Sequence, residues 1–285
     1  MTAIDLEYLR GWVGREQIRH DPLTPFPAQA LAAALNREVL PVCGTALPPA
    51  WQWLYFHEPV RQRDMGVDGH PRTGGFLPPV PLPRRMWASG EFFCERPLRL
   101  GEPTELRSVV SSVELKQGAS GALVFVGVEH HTQQGGRRCL FERQQLVYRA
   151  MPAGPETLPA GQTASDEAEF RVPFNPDPLL LFRYSALTYN GHRIHYDRDY
   201  ATTLEHYPAL VVHGPLLATL LAEQVALQVP QESIGSFRFR AIRPAFDSDQ
   251  LMLCGRRNGS SLELWTENLD GFITMQATAT LGALL

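Results

Sequence analysis

The sequence has 285 residues, of which 44% are hydrophobic and 20% are charged, and its formal net charge is −4. No apolar stretch reaches the roughly 18 to 20 residues of a transmembrane helix, and no broad basic surface is available for nucleic acid. We therefore expect a soluble protein with neither a membrane nor a nucleic-acid partner.

The N-terminus and the cysteines both indicate the cytoplasm. Residues 1–17 carry early acidic side chains and no apolar core before a small-residue cleavage site, so we expect neither a secretory nor a transit signal. The cysteines are widely spaced and form no CxxC pair, which argues against a zinc ribbon, a redox dithiol or a disulfide scaffold. They are Cys43, Cys94, Cys139 and Cys254.

Two halves of similar plan follow one another. In residues 1–150 a helical stretch precedes four strands, WASGEFFCERPLRL, ELRSVVSSVEL, ALVFVGVEHHTQ and CLFERQQLVYRA. Residues 151–178 are rich in Pro, Ala, Gly, Thr and acidic residues without a period, which indicates a linker. In residues 179–285 a helix apolar nearly all round, 213–229, precedes four more strands. A long helix against an antiparallel sheet in each half is an α+β arrangement.

A short span repeats between the halves at a spacing of 147 residues, which indicates an internal duplication. The first copy contains Arg96-Pro97, Gly101-Glu102 and Leu106, and the second contains Arg243-Pro244, Ser248-Asp249 and Leu253.

Extending the match pairs FPAQALAAALN, which ends on Asn36, with FRYSALTYN, which ends on Asn190. LPPAWQWLYF then takes the place of HGPLLATLL. Five residues after Asn36 stands Pro41, whereas five residues after Asn190 stands His195. We therefore expect the chemistry in the second half, and a supporting and binding role for the first.

Four histidines lie close together in the second half: His192, His195, His206 and His213. Transition-metal sites usually combine short helical spacings with a Cys or carboxylate ligand, and no HExxH motif is present. We expect no metal and no other cofactor.

Asn190 and His195 bracket a tight GHRI turn that can aim both side chains at one point. An imidazole there can take a proton from water near neutral pH, while a neutral amide holds the water. In the structural alternative, His195 caps a helix beginning near Asp197 and Asn190 fills a left-handed turn before Gly191.

Gly214 follows His213 at the start of the predicted buried helix. Helix N-termini present unpaired N–H groups, and a glycine lets a ligand approach the backbone closely, so the Gly214 N–H is a candidate oxyanion donor. Ordinary helix initiation would explain the same residues.

Residues 63–87 are too rich in Pro and Gly for a regular element and predict a lid or a binding lip. Guanidinium groups here and beside the Asn190/His195 pair could bind phosphates or a carboxylate, or could be solvated surface charges. They are Arg72, Arg84, Arg85, Arg183 and Arg193.

FRYSALTYNGHRIHYDRDYA followed by YPALVVHGPLLATLL resembles the C-terminal half of MaoC-like dehydratases. The similarity is to the branch that contains hydroxyacyl-thioester dehydratase type 2 and the mesaconyl-CoA and itaconyl-CoA hydratases. It implies a double hot-dog fold with a shared thioester tunnel. The usual signature, GDxNPxH, places its Asp on Asn190 and its His on His195, and the glycine that binds the thioester carbonyl on Gly214.

The resemblance implies a carbon–oxygen lyase that hydrates a short branched enoyl-CoA, itaconyl-CoA or mesaconyl-C4-CoA, to citramalyl-CoA. Tyr189 and His213 would join the arginines in binding the acyl-CoA, and a homodimer is the expected assembly. A 3-hydroxyacyl-thioester dehydratase of fatty-acid type, a hot-dog thioesterase and a non-catalytic thioester-binding module are the alternatives. The amide of Asn190 weighs against the thioesterase, which needs a carboxylate to direct water.

Overall fold

The computed structural model describes residues 4–118, 121–152, 154–155, 158, 161–164 and 167–283. Its α-helices are α1 (Leu6–Arg10), α2 (Pro25–Ala34), α3 (Pro178–Leu187) and α4 (Gly214–Gln228). Its strands are β1 (Glu16–Asp21), β2 (Arg84–Cys94), β3 (Thr104–Gly118), β4 (Gly121–Gln134), β5 (Arg137–Arg149), β6 (Phe170–Phe174), β7 (Glu232–Ala241), β8 (Leu251–Asn258), β9 (Ser261–Asn268) and β10 (Ile273–Ala283).

All ten strands form one antiparallel sheet in the order β1-β3-β4-β5-β2-β7-β10-β9-β8-β6. The order is symmetric about its centre, because each strand of the first half has a counterpart at the same distance from the β2–β7 pair. Residues 89–93 of β2 pair with residues 236–240 of β7 and join the halves into one sheet. The predicted α+β double hot-dog is confirmed.

The 147-residue repeat corresponds to one corner of the fold, built twice. In the first half the amides of Glu95 and Arg96 both donate to the Cys139 carbonyl, at 2.9 and 3.1 Å. In the second half the two amides at positions 242 and 243 both donate to the Thr274 carbonyl, at 2.9 and 3.2 Å. This shared corner supports the internal duplication.

The extension of that repeat toward the N-terminus is one residue out of register. Helices α2 and α3 end alike, with Asn36 and Tyr189 both left-handed at φ 55° and 50°. The amide of the next residue, Arg37 or Asn190, then closes the turn onto a carbonyl five residues back, at 2.8 Å in both halves. Asn36 therefore corresponds to Tyr189, and the first half lacks the asparagine as well as the histidine.

Among the described residues, the long helix predicted for each half is present in the second half and not in the first. Helix α4 is buried along most of its length and packs against β7, β8, β9 and β10. In the first half, where LPPAWQWLYF stands, the structure has a 3₁₀-helix, Trp51–Leu54. Prolines at positions 48, 49 and 59 leave too short a stretch for a long helix.

The predicted linker, 151–178, contains a strand. Residues 170–174 form β6, which pairs with β8 at the edge of the sheet. The strand has only five residues, with half-buried and exposed side chains in alternation. So short a strand was not distinguished from the Pro- and Gly-rich sequence before it. Residues 153, 156–157, 159–160 and 165–166 of the linker lie outside the described residues.

The main core lies between α4 and the sheet, and it includes side chains of α2 and α3. Within the described part of the chain, no helix is both long and apolar enough to span a bilayer.

Candidate active site

A cavity of about 1220 Å³ lies between the two halves. Its walls come from β1, β2, β5 and the 63–87 loop in the first half, and from α3, the turn after α3 and the start of α4 in the second. Six of the predicted site residues line it: Arg84, Arg85, Tyr189, Asn190, His195 and Gly214. The cavity also receives Arg72, whereas Arg183, Arg193 and His213 are not among its lining residues.

His195 is held in one tautomer. It ends a 3₁₀-helix, Arg193–His195, and its Nδ1 lies 2.7 Å from the Val211 carbonyl, which can only accept a hydrogen bond. Nδ1 therefore carries the proton, and Nε2 is left as a base. Burial lowers the pKa of His195 to about 4, so the imidazole is neutral at pH 7.

His213 supports His195 from behind. The two rings stack with centroids 3.7 Å apart and planes 19° apart, and His213 is fully buried. Its Nε2 forms a 2.8 Å hydrogen bond with Ser185 Oγ. Burial and the neighbouring His195 hold the pKa of His213 well below its usual range. The structure therefore places His213 behind the wall of the cavity, where it positions the ring that faces a ligand.

Asn190 has one end of its amide occupied. Its Oδ1 accepts a 3.0 Å hydrogen bond from the His192 backbone N–H and closes a small turn. The left-handed residue of this turn is Tyr189 and not Asn190. Among the described residues Nδ2 has no acceptor, so this N–H group is available to a water molecule in the cavity.

Gly214 is the first residue of α4, and its N–H has no acceptor in the described part of the chain. The first amides of a helix lack intrahelical partners and carry partial positive charge. A Cβ placed on Gly214 would come no closer than 3.8 Å to the protein, at Met275 Cε. A side chain of one carbon would thus be in ordinary van der Waals contact here, and Gly214 itself lines the cavity.

Arg84 forms a buried ion pair with Glu205 across the two halves. Its Nε lies 2.7 Å from Glu205 Oε2, and both side chains are at most 4% exposed. The guanidinium also lies over the Tyr207 ring, 4.7 Å from the centroid. Burial raises the pKa of Glu205, and Arg84 opposes that shift. Arg84 lines the cavity, as predicted, but its charge is matched by a carboxylate.

Arg193 holds the 63–87 loop against the turn that carries Asn190 and His195, called the catalytic turn below because the proposed base lies on it. Its side chain forms an ion pair with Asp197 at 2.7 Å and donates to the Val67 carbonyl at 3.1 Å. Its backbone N–H donates to the Asp68 carbonyl at 2.9 Å. Asp197 Oδ1 also accepts a 3.0 Å hydrogen bond from the Tyr200 N–H, so Asp197 and not His195 caps the short helical turn that follows. Arg193 therefore acts on the shape of the site.

The fastened loop brings a side-chain cluster that the spacing of histidines in the sequence did not reveal. Asp68, His70 and His192 each offer a ligand atom, and these atoms lie within 4.8 Å of one another. Such donors can hold a metal ion. Here Asp68 Oδ2 already lies 3.0 Å from His70 Nδ1. Burial lowers the pKa of His70 and of His192, His70 lowers the pKa of Asp68 against the effect of burial, and the Arg85 charge lowers the pKa of all three groups further. That neighbouring positive charge disfavours a cation and favours an anion.

Comparisons with known proteins show which family the chain belongs to. A family model described as hydroxyacyl-thioester dehydratase type 2 matches residues 50–247. A mesaconyl-C(4)-CoA hydratase from Chloroflexus aurantiacus is 42% identical over 276 residues, which cover 95% of this chain and 97% of that protein. The chain belongs to the hydroxyacyl-thioester dehydratase type 2 family.

Another member of this family, a mitochondrial hydroxyacyl-thioester dehydratase type 2 from Schizosaccharomyces pombe, is 29% identical over 284 residues, covering 88% of this chain and 93% of that one. Two solved structures share the fold. A MaoC-like dehydratase covers 97% of this chain and all of its own, with a TM-score of 0.71 and 15% identity. A MaoC-like dehydratase from Phytophthora capsici covers 99% and 100%, with a TM-score of 0.66 and 12% identity.

Sequence reasoning singled out the turn that carries Asn190 and His195 but missed the side chains that surround it. Glu205 gave no signal, because its partner Arg84 is far away in the chain. Asp68 and His70 lay within a loop that was predicted only as a lip. The signal in the sequence was the two glycines Gly69 and Gly191, which allow a close approach of two backbones. A Cβ on Gly69 would lie 1.8 Å from the Gly191 carbonyl oxygen, so the two backbones touch there.

Proposed function

We propose that this chain is a hydratase, and reversibly a dehydratase, that adds water to mesaconyl-C4-CoA to give citramalyl-CoA. The observation that carries the proposal is the His195 base with its tautomer fixed by Val211, in one cavity with the free amides of Asn190 and Gly214. The 42% identity to a mesaconyl-C(4)-CoA hydratase supports this substrate. Itaconyl-CoA, which leads to the same product, is the second substrate to test.

In the proposed mechanism the thioester carbonyl oxygen accepts a hydrogen bond from the Gly214 N–H. Negative charge that develops on this oxygen during attack is then stabilised by a preorganised donor at a helix N-terminus. The enolate-like transition state is stabilised more than the ground state, and this difference lowers the barrier.

Water lies between Asn190 and His195. Asn190 Nδ2–H donates to the water oxygen, and His195 Nε2 removes a proton as the oxygen bonds to the β-carbon. The electron pair of the double bond moves toward the thioester. The proton on His195 then passes to the α-carbon, which restores the neutral imidazole and leaves one water added across the double bond. Dehydration follows the same path in reverse.

The first half serves binding and not chemistry in this proposal. Leu47 N–H donates to Leu98 O just as Val212 N–H donates to Ala245 O, so Pro49 stands where the second half has Gly214. Proline has no N–H, and this half therefore offers no oxyanion donor at that place. Residues 1–150 would bind the acyl-CoA from one side of the cavity and residues 179–285 would carry out the reaction.

Six arginines and three carboxylates line the cavity, an excess of three positive charges that suits an anionic acyl-CoA, which carries phosphates and, in this proposal, an acyl carboxylate. The arginines are Arg19, Arg72, Arg84, Arg85, Arg149 and Arg243, and the carboxylates are Glu58, Asp64 and Glu205. All four cysteines are free thiols, which agrees with the cytoplasmic location that we propose. A homodimer is part of the proposal and is tested by light scattering after size exclusion.

The experiment compares mesaconyl-C4-CoA, itaconyl-CoA and crotonyl-CoA with purified protein. Loss of the conjugated thioester absorbance measures hydration of mesaconyl-C4-CoA and crotonyl-CoA. The double bond of itaconyl-CoA is not conjugated with its thioester, so its hydration is followed by chromatography of the product, and a thiol reagent measures free CoA. We expect hydration of mesaconyl-C4-CoA without CoA release. Efficient turnover of crotonyl-CoA alone would contradict the dicarboxylate substrate, and release of CoA would indicate the thioesterase.

A further inference from the structure

The proposed substrate carries a charge close to the reacting atoms. In mesaconyl-C4-CoA the β-carbon bears both a methyl group and the free carboxylate, and this carbon receives the hydroxide. The carboxylate is therefore one bond from the reacting carbon. Because His195 activates the water that attacks this carbon, the groups that bind the carboxylate must lie close to His195. This requirement, which rests on the proposed function, excludes distant cations.

Arg85 is a cavity arginine that meets it. Arg84 is matched by Glu205, Arg193 is paired with Asp197, and Arg72 is exposed and donates to a loop carbonyl. Arg85 lines the cavity and is half-buried, and it forms no ion pair with any described residue. His70, His192 and His195 line the same cavity as Arg85, and after burial the Arg85 charge is among the causes that lower the pKa of His70 and of His192.

His192 links this guanidinium to the base. Its ring centroid is 5.4 Å from that of His195 and 4.2 Å from that of His70. His192 is only 5% exposed, and its Nε2 has no hydrogen-bond partner in the described part of the chain. A buried polar atom without a partner costs free energy in the empty site, which a bound acceptor recovers.

The loop contact keeps this pair of imidazoles together. Asp68 accepts hydrogen bonds from the His70 N–H and from His70 Nδ1, at 3.1 and 3.0 Å, so Asp68 is directed at His70. Gly69 and Gly191 bring the two backbones into contact, because no side chain separates them. His70 is thus pressed against His192 on one wall of the cavity.

We infer that Arg85 and His192, with His70 packed against His192, form a site for the free carboxylate of the acyl group. The guanidinium matches a planar carboxylate with two parallel hydrogen bonds, and a neutral His192 donates a third from Nε2. Neutralising this carboxylate also assists attack at the carbon that bears it, because the negative charge next to the incoming oxygen is offset.

Two carboxylates neighbour the site: Glu205, whose Oε1 lies 4.0 Å from His192 Nε2, and Asp68, whose Oδ2 lies 3.0 Å from His70 Nδ1. Their charges would repel a substrate carboxylate. Arg84 at 2.7 Å cancels the charge of Glu205, which gives the buried Arg84–Glu205 pair a role beside the site instead of in it, and Asp68 is engaged by the His70 N–H groups.

The test uses three thioesters that differ only on the β-carbon. Mesaconyl-C4-CoA has a methyl group and a carboxylate, fumaryl-CoA has the carboxylate without the methyl group, and crotonyl-CoA has the methyl group without the carboxylate. Values of kcat/KM are measured for wild type, Arg85→Gln, Arg85→Lys and His192→Phe. Arg61→Gln, which changes an exposed arginine outside the cavity, is the control.

We expect Arg85→Gln to lower kcat/KM about 10- to 100-fold for the two carboxylate substrates, the size of a lost charge-assisted interaction. Crotonyl-CoA hydration should stay within about threefold of wild type. Arg85→Lys should recover part of the loss, His192→Phe should show a smaller selective loss, and Arg61→Gln should match wild type on all three substrates.

Equal losses on all three substrates, or no loss on any, would overturn the carboxylate site and leave the hydratase proposal standing. Wild-type protein that hydrates crotonyl-CoA but neither carboxylate substrate would overturn the proposed function and this site together. Stoichiometric zinc in the purified protein, lost in His192→Phe, would also overturn the assignment, because the same side chains would then be metal ligands. Thermal melts establish that each variant is folded.

Discussion

The imidazoles of His195 and His213 stack with centroids 3.7 Å apart, so His213 covers one face of the His195 ring. The Val211 carbonyl accepts a hydrogen bond from Nδ1 and so holds one edge of the same ring. Protonation of both rings would place two positive charges in contact inside a buried site. The arrangement therefore favours neutral rings and agrees with the lowered pKa of both groups.

The first prediction concerns His195 itself. Because its pKa is lowered to about 4, the neutral base is present above that pH and is lost as the pH falls through it. The acid limb of kcat/KM for mesaconyl-C4-CoA should therefore lie near pH 4 and not near 6.5. His195→Gln should lower kcat by about 10²- to 10⁴-fold. His20→Gln, at an exposed position, is the control, and a limb near 6.5 would contradict the buried neutral base.

A second prediction concerns the amide at position 190. Asn190→Asp keeps an oxygen for the His192 N–H, so the turn should form, but it adds a negative charge near two imidazoles. A negative neighbour raises a histidine pKa, so the acid limb should move up by at least about one pH unit. Asn190→Ala should lower kcat without moving the limb. Identical limbs for wild type and the aspartate variant would refute this reasoning.

A third prediction tests the Gly214 amide. Gly214→Pro removes the N–H at a helix position where proline is tolerated, and should lower kcat about 10²- to 10³-fold. Gly214→Ala keeps the N–H, and its Cβ meets no protein atom within 3.8 Å. The alanine variant should therefore fold normally and lose mainly affinity, seen as a higher KM. Equal kcat in the two variants would argue against an oxyanion role.

The fourth prediction concerns the stability provided by Arg84 and Glu205. Removing one partner leaves the other charge buried, so Arg84→Leu and Glu205→Leu should each lower the free energy of unfolding by about 3 kcal/mol. The double variant should lose clearly less than the sum. Urea unfolding measures all three, and additive losses would show that the pair is not coupled.

A fifth prediction links the buried histidines to pH. The pKa values of His70, His130 and His195 are lowered to about 4, below the unfolded value near 6.5. The unfolded chain therefore binds more protons between these limits, and stability falls as the pH drops below 6.5. Each group should cost about 2 kcal/mol between pH 7 and pH 5.

Urea midpoints at pH 7 and pH 5 measure this loss. His130 lies outside the catalytic turn, so His130→Gln tests one group without touching the base. The variant should show a shallower pH dependence, by about one proton. An unchanged slope would mean that this histidine is not neutral when folded.

The sequence by itself determined the features that are local in the chain. Alternating strands, the apolar helix of residues 213–229 and the turn that carries Asn190 and His195 depend on neighbouring residues. Their positions could be read without knowing what packs against them. The helix N-terminus at Gly214 belongs to the same class, because a free N–H follows from where a helix begins.

The tertiary structure decided which side chains meet. The partner of Arg84 is Glu205 and that of His192 is His70, each in the opposite half of the chain. Spacing along the sequence carries no information about such contacts, because they depend on how the β2–β7 pair joins the halves. The same holds for Arg193, which looked like a ligand-binding residue and instead fastens a loop. The local pattern thus predicted the turn that carries Asn190 and His195, and long-range packing determined which charged side chains surround it.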